Sequence, residues 1–137
     1  MNTQVFILTK FWSAMKRINV NLPWPPSVNS LYRINRRSRI FKSKKAVDYT
    51  ATVGWTLKRE GFEGFGTSRV EIDILACPPD RRRRDLDNIQ KALLDSLQEA
   101  GLFQDDCQVD KITITRGNVI KKGNVFIQVK ERRTVND

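Results

Sequence analysis

The residues of this sequence best suited to chemistry lie at positions 80–91, in the segment DRRRRDLDNIQK. Four consecutive arginines stand directly before the carboxylates of Asp85 and Asp87. Guanidinium groups bind phosphates, whereas carboxylates repel them unless a divalent cation lies between acid and phosphate. The pattern favours a cation-bridged phosphodiester. The alternative is a solvated surface network in which the two aspartates are simply neutralised by Arg81, Arg82, Arg83 and Arg84.

A lysine and a second pair of acids could complete such a site. Asp87 and Lys91 are four residues apart, which places them on one face of a helix. Asp85 and Asp87 would point to the same side if the chain approached that helix in an extended conformation. Asp105 and Asp106 follow the helix, and the next strand could bring a third carboxylate back to its start. Taken singly, these residues are ordinary helix-terminal acids, ion pairs and turns; together they predict a Mg²⁺ site for phosphodiester hydrolysis.

Composition limits the class of protein. The 137 residues suffice for one compact domain, and Lys and Arg outnumber Asp and Glu by 25 to 15, which points to an acidic partner such as nucleic acid. Histidine is absent, which excludes every mechanism based on imidazole. The two cysteines do not form a Cys-x-x-Cys motif, which argues against zinc. We find no secretory signal and no apolar run near the roughly 20 residues of a membrane span, so a cytoplasmic protein that does not bind membranes is expected.

Apolar periodicity predicts an α+β fold in one domain, with a mixed β-sheet and two helices packed on one face. The predicted order is β-α-β-α-β-β. Ser43 is the expected N-cap of the first helix, Gly61 and Gly101 are the expected stops of the two helices, and the last two strands are expected to pair across a glycine-containing loop. The predicted strands are residues 18–22, 70–78, 109–115 and 125–129; the first helix has Ala46, Tyr49, Val53 and Leu57 on one face, and the second, residues 87–100, has Leu86, Ile89, Leu93, Leu97 and Ala100.

A second basic segment lies between the first strand and the first helix. Residues 29–45 are predicted to form an extended loop in which Tyr32 and Phe41 are interleaved with cations. Such a loop could bind backbone phosphates without reading sequence, or it could simply be solvated. Its basic residues are Arg33, Arg36, Arg37, Arg39, Lys42, Lys44 and Lys45.

Three segments, in order, carry a resemblance to a known family. They are LPWPPSVN at residues 22–29, PDRRRRDLDNIQKAL at residues 79–93 and GLFQDD at residues 101–106. With them the chain resembles the RusA-type Holliday-junction resolvases, small endonucleases of phages and prophages. The resemblance runs over residues 15–130. Residues 1–14 are therefore predicted to be a peripheral N-terminal extension, and residues 131–137 a tail.

The resemblance implies a homodimeric endonuclease that depends on Mg²⁺, with one or two ions per site and Mn²⁺ as an expected substitute. Its implied substrate is a four-way DNA junction, resolved by paired symmetric nicks in recombination and repair. The implied catalytic residues are Asp85, Asp87, Asp106 and Lys91; the three acids are also the metal ligands, and Asn88 and Asp105 are supporting residues. The predicted DNA-binding residues are Arg81, Arg82, Arg83, Arg84, Arg36, Arg37, Lys42 and Lys44.

Two other classes of function remain open from the residues alone. A non-catalytic DNA-binding module would use the arginines and not the acids. A metal-dependent nuclease of simple duplex or single-stranded DNA would share the metal site without selecting junctions. Only the resemblance favours junction resolution over the second alternative.

Overall fold

The structure, a computed structural model, describes residues 16–132. The predicted extension at residues 1–14 and the end of the predicted tail, residues 133–137, lie outside this range. The described residues form six strands and two α-helices, with 3₁₀ turns at Val28–Ser30 and Asp106–Gln108. In chain order the elements are β1 (Arg17–Leu22), β2 (Tyr32–Ile34), β3 (Ile40–Lys42), α1 (Lys44–Arg59), β4 (Val70–Cys77), α2 (Asp87–Glu99), β5 (Val109–Arg116) and β6 (Asn124–Glu131).

Four strands form a mixed sheet in the order β1-β6-β4-β5. β4 is parallel to β5 and antiparallel to β6, which confirms the predicted mixed sheet with two helices. The predicted pairing of β5 with β6 was wrong, because β4 lies between them. The connection after β5 crosses the end of β4, where the N–H groups of Gly117 and Ile120 donate to the carbonyls of Ala76 (2.8 Å) and Pro78 (2.9 Å). The helical crossover from β4 to β5 fixes those two strands as parallel neighbours, so β6 takes the other edge of β4.

The core lies between one face of this sheet and the two helices. Alternate residues of β4 are buried, as the period of a half-covered strand requires. The predicted apolar faces of both helices are confirmed, since Tyr49, Val53 and Leu57 of α1 and Ile89, Leu93 and Leu97 of α2 belong to one buried cluster with the sheet. The two helices and the sheet therefore form a two-layer fold, and within residues 16–132 no helix lies on the second face of the sheet.

Both helices end in the same way, as the glycines predict. Gly61 and Gly101 adopt φ values of 71° and 87°, and the next residue in each case donates its N–H back to a carbonyl of the last helical turn, Phe62 to Leu57 (3.2 Å) and Leu102 to Leu97 (3.0 Å). The N-cap of α1 is also confirmed, because the Ser43 hydroxyl accepts from the N–H of Ala46 at 3.2 Å. Within residues 16–132 no helix combines the length and the apolar character needed to cross a membrane.

Residues 29–45 are not the extended loop that the sequence predicted. β2 and β3 form a separate antiparallel hairpin, which pairs with no strand of the main sheet. Its turn is organised by Asn35, whose side-chain oxygen accepts from the N–H groups of Arg37 and Arg39, both at 2.9 Å. Strands of three residues flanked by arginine are too short for their periodicity to stand out, so sequence reasoning missed them.

The last strand continues past the predicted end of the domain at residue 130. Glu131 is the final residue of β6, and its N–H donates to the carbonyl of Lys16 at 2.9 Å. Arg132 pairs with Asp110 of β5 (3.2 Å) and Glu71 of β4 (3.7 Å). These contacts fix the chain to the sheet at least as far as Arg132.

Candidate active site

The loop between β4 and α2, residues 78–86, carries the four arginines and is organised around Arg84. The Arg84 guanidinium donates to the carboxylate of Asp80 at 2.6 Å and lies 5.9 Å from the ring centre of Trp24. The backbone carbonyl of Arg84 accepts a hydrogen bond of 2.7 Å from the guanidinium of Arg116, at the end of β5. Arg84 was predicted to bind DNA, but in the free protein it ties the loop to the proline-rich segment and to β5.

The arginines find their internal partner in Asp80 and not in Asp85 or Asp87. The hydrogen bond from the Arg84 side chain, followed by that from the N–H of Arg82, lowers the pKa of Asp80 to about 2. The Arg82 side chain is 85% exposed, and its Nε atom lies 3.8 Å from a carboxylate oxygen of Asp80. The arginines therefore do form a neutralising network, but the acid that they neutralise is Asp80 and not either of the two predicted catalytic aspartates.

Asp85 and Asp87 are exposed at the start of α2, and within residues 16–132 their carboxylates have no hydrogen-bond or ion-pair partner. Asp87 is the first residue of the helix, and no side chain caps it. Leu86 is already helical (φ −65°, ψ −32°), so the expectation that an extended approach aligns the two acids was wrong. Asn88 is half-buried, and its N–H donates to the carbonyl of Asp85 at 3.2 Å.

Lys91 lies one turn into α2 but does not pair with Asp87. Its ammonium lies 3.3 Å from the carboxylate of Asp95, in the next turn of the helix. Asp95 is the main cause of the raised pKa of Lys91, and Tyr32 and Asp106 make smaller electrostatic contributions. Sequence reasoning missed Asp95 and Tyr32. The four-residue spacing of Lys91 and Asp95 was a visible signal, but it competed with the same spacing to Asp87.

Asp105 and Asp106 lie in the turn after α2. The Asp105 carboxylate accepts from the N–H of Cys107 at 2.9 Å, and the Gln108 side chain accepts from the N–H of Asp105 at 2.9 Å, which forms a capping box. The first of these bonds is the main cause of the lowered pKa of Asp105. β5 does run back toward the start of α2, but the residue that it brings there is Arg116. Asp106 is exposed, and its charge contributes to the raised pKa of Lys91.

The next feature is whether the predicted catalytic aspartates could hold the implied Mg²⁺. Across residues 16–132 no three or more Asp, Glu, His or Cys side chains are grouped closely enough to hold a metal ion. Mg²⁺ often needs no such cage, because it keeps several waters and is held by one or two carboxylates together with substrate phosphates. The hard oxygens of Asp85 and Asp87, which have no partner within residues 16–132, suit that mode.

Four predicted DNA-binding residues lie outside the arginine loop; three of them are exposed and one forms an ion pair. Arg36 and Arg37 are exposed at the turn of the β2–β3 hairpin, and Lys44 is exposed at the first position of α1. The first turn of α1 contains no acid, so two lysines stand at the positive end of the helix dipole, where an anion would be favoured. Lys42 instead pairs with Glu99 at the end of α2.

Comparison with known proteins shows the family to which this chain belongs. The model of the endodeoxyribonuclease RusA family matches residues 23–130. The crossover junction endodeoxyribonuclease of Enterobacteria phage HK97 is 41% identical over 114 residues, which cover 83% of this chain and 94% of that protein. The proteins of that name from Escherichia coli K12 and Enterobacteria phage 82 are each 38% identical over 117 residues, covering 85% of this chain and 97% of theirs. The chain therefore belongs to the RusA family of endodeoxyribonucleases.

Proposed function

We propose that this protein is a Mg²⁺-dependent, structure-selective endonuclease that resolves four-way DNA junctions by paired symmetric nicks, in recombination and repair. The observation that carries the proposal is the pair of exposed carboxylates of Asp85 and Asp87, which have no partner among the described residues and lie beside a loop of four arginines. A bound cation and phosphate would satisfy both charges at once. The relatives named as crossover junction endodeoxyribonucleases support the choice of substrate.

The proposed chemistry divides between the acids and Lys91. Asp85 and Asp87, with Asp106 as the third predicted ligand, would hold Mg²⁺, which when bound neutralises phosphate charge and makes water a stronger nucleophile. Lysine is protonated at neutral pH and Asp95 raises the pKa of Lys91 further, so its ammonium is available to stabilise charge that develops on the phosphate. The uncapped start of α2 adds backbone N–H groups and a positive dipole end to the same place.

The exposed cations would hold the DNA backbone. Within the described part of the chain, Arg81 and Arg83 make no ion pair or hydrogen bond through their side chains, so they can bind phosphates without breaking an internal contact. Arg36, Arg37 and Lys44 have the same freedom. Lys42 and Arg84 would have to leave Glu99 and Asp80 to take part. We expect the free cations to contribute most of the affinity.

The test of this function is cleavage of a synthetic four-way junction and a matched linear duplex, each with and without Mg²⁺. We expect symmetric nicks in the junction only, and only with the metal. Cleavage of both substrates at similar rates would indicate a general nuclease. Tight binding to both without any cleavage would indicate a non-catalytic DNA-binding module. Either result would overturn the proposal.

The arginine loop predicts a specific salt dependence. Changing both Arg82 and Arg83 to Ala should reduce the slope of log affinity against log salt concentration by about 0.9 for each phosphate that the protein no longer neutralises. The Arg82 backbone bond to Asp80 does not involve the side chain, so the loop should keep its fold. Binding isotherms for the junction at several salt concentrations measure the slope.

The matched control for this double variant is the replacement of Lys58 and Arg59 by Ala. This change removes the same charge from the last turn of α1, at the end away from the lysines of its first turn. We expect this control to change the salt slope little. An unchanged slope for the Arg82 and Arg83 variant would show that these two arginines do not neutralise DNA phosphates.

We also propose a twofold-symmetric homodimer, because two opposed nicks need two sites and each chain supplies one set of acids. Four aromatic side chains that an apolar interface could use are instead packed within the protomer itself. Phe65 and Phe103 are only 3% and 1% exposed, and Trp24 and Phe62 pack against the core. Within the described residues, the edge strands β1 and β5 have no further strand beside them, and the sheet face opposite the helices carries the cross-strand neighbours Leu75 and Phe126, which are 41% and 37% exposed. These are the remaining candidates for the interface.

Sedimentation at micromolar concentration should give twice the chain mass of 15.9 kDa. A mixed dimer with one Asp87→Asn subunit should nick one strand of the junction without resolving it, because only one intact site remains. A monomer that still made paired symmetric cuts would contradict the dimer and leave the nuclease assignment in place.

A further inference from the structure

The β2–β3 hairpin exposes two isoleucines that no part of the described chain covers. Ile34 and Ile40 are cross-strand partners at the end of the hairpin, and each is 71% exposed. A pair of large aliphatic side chains in water is costly, at about 25 cal/mol for each Å² of apolar surface. The turn between them is held by Asn35, so the pair is presented on a defined hairpin.

The isoleucines lie on the face of the hairpin that leads to Lys91. Cross-strand partners share a face, and side chains two residues apart in a strand point the same way. Ile34 and Ile40 therefore share a face with the next partners toward the body, Tyr32 and Lys42. Those two residues line a recess together with Asp95, the partner of Lys91, and Tyr32 raises the pKa of Lys91. Anything bound over Lys91 would extend along this face of the hairpin.

The charge of the hairpin indicates which kind of partner meets the isoleucines. Residues 29–45 contain seven Arg and Lys and no Asp or Glu. Three of these arginines, Arg36, Arg37 and Arg39, lie in the turn itself and are exposed. An apolar pair surrounded by cations suits a polyanion that also offers apolar surface. DNA bases exposed at a break in stacking have both properties, and aliphatic side chains inserted between base steps are a known way to hold distorted DNA.

We propose that Ile34 and Ile40 contact the bases at the branch point of the junction and supply part of its preference over linear duplex. This inference rests on the proposed function. The arginines of the turn would hold the backbone on both sides of the branch point, which fixes the isoleucines against bases that a continuous duplex keeps stacked and covered. The hairpin is then a specificity element, whereas Asp85, Asp87 and Lys91 perform the chemistry.

The experiment compares the wild-type protein with the Ile34→Ser, Ile40→Ser double variant, both in EDTA. Affinity is measured for a four-way junction and for a matched duplex, and 2-aminopurine placed at the branch point reports base unstacking. We expect the double variant to bind the junction roughly tenfold more weakly, toward the low end of the loss caused by removing an aromatic side chain that stacks on a base, with little change for duplex. The rise in 2-aminopurine fluorescence that the wild-type protein causes should be absent.

Trp55→Ser is the matched control, because Trp55 is also 71% exposed but lies in the second half of α1. It should leave the junction affinity and the fluorescence unchanged, and melting curves should show that all variants fold. An unchanged preference in the double variant, or an equal loss for junction and duplex, would overturn the inference. Because EDTA removes the cleavage step, a failure of the proposed nuclease function would appear separately, as a wild-type protein that prefers junctions but does not cut them with Mg²⁺.

Discussion

Replacing Asp87 with Asn is expected to abolish junction cleavage while binding is retained or becomes tighter. The amide keeps the size of the side chain but removes the charge that would hold a cation against the phosphate. It also removes repulsion between the carboxylate and the DNA. Because the Asp87 carboxylate has no partner within residues 16–132, its loss should not disturb the fold. Single-turnover cleavage and gel-shift titrations measure the two effects, and Asp85→Asn and Asp106→Asn should behave alike.

Asp48→Asn is the matched control for this series. Asp48 is an exposed acid of α1 whose carboxylate also has no partner among residues 16–132, so its change alters the net charge by the same amount. Cleavage by this variant should match the wild-type rate. If the Asp87→Asn protein cut junctions at the normal rate, Asp87 would have no place in the catalytic site. If the Asp106→Asn protein remained active while the Asp85→Asn and Asp87→Asn proteins did not, the metal site would consist of Asp85 and Asp87 alone.

Changing Lys91 to Ala is expected to slow cleavage by about 10³-fold, the effect of removing one donor that stabilises transition-state charge. Stability should barely change, because Lys91 is 53% exposed and its partner is on the same helix. An exposed ion pair of this kind contributes about 0.5 kcal/mol or less, which corresponds to a change in melting temperature of roughly 2 °C. Cleavage rates and a thermal melt test both statements. A fall of many degrees would instead identify Lys91 as a structural residue.

Two further variants separate the charge of Lys91 from its placement. Lys91→Arg should restore little activity, because a planar guanidinium does not replace a compact ammonium. Asp95→Asn should lower the pKa of Lys91, since Asp95 is the main cause of its rise. A raised lysine pKa contributes stability below the unfolded value of about 10.4, which is lost as the pH rises through the folded value, so neutral conditions retain it. Titration of the Lys91 side chain by NMR measures this shift; an unchanged pKa in the Asn variant would contradict the assignment.

The local elements could be predicted because the signals that define them are close together in the chain. Ser43 as the cap of α1, and Gly61 and Gly101 beyond the helix ends, act over four to six residues. The burial of Val53, Leu57 and the apolar stripe of α2 follows from a spacing that any amphipathic helix must have. Strand pairing is different. β4 lies between β5 and β6 because a helical crossover places β5 beside β4. No local pattern in the sequence shows which edge of β4 the last strand will take.

The sequence by itself determined the fold class, the two helices and the set of acids and cations that could act on a phosphodiester. Only the tertiary structure decided which of these charges are free. Asp87 and Asp95 are each four residues from Lys91, and in the folded protein Lys91 pairs with Asp95. Arg84 could have neutralised either neighbouring aspartate, but Asp80, Trp24 and Arg116 converge on it. The physical reason is that an ion pair depends on side-chain directions and on partners distant in the chain, and neither is encoded in the spacing of residues along it.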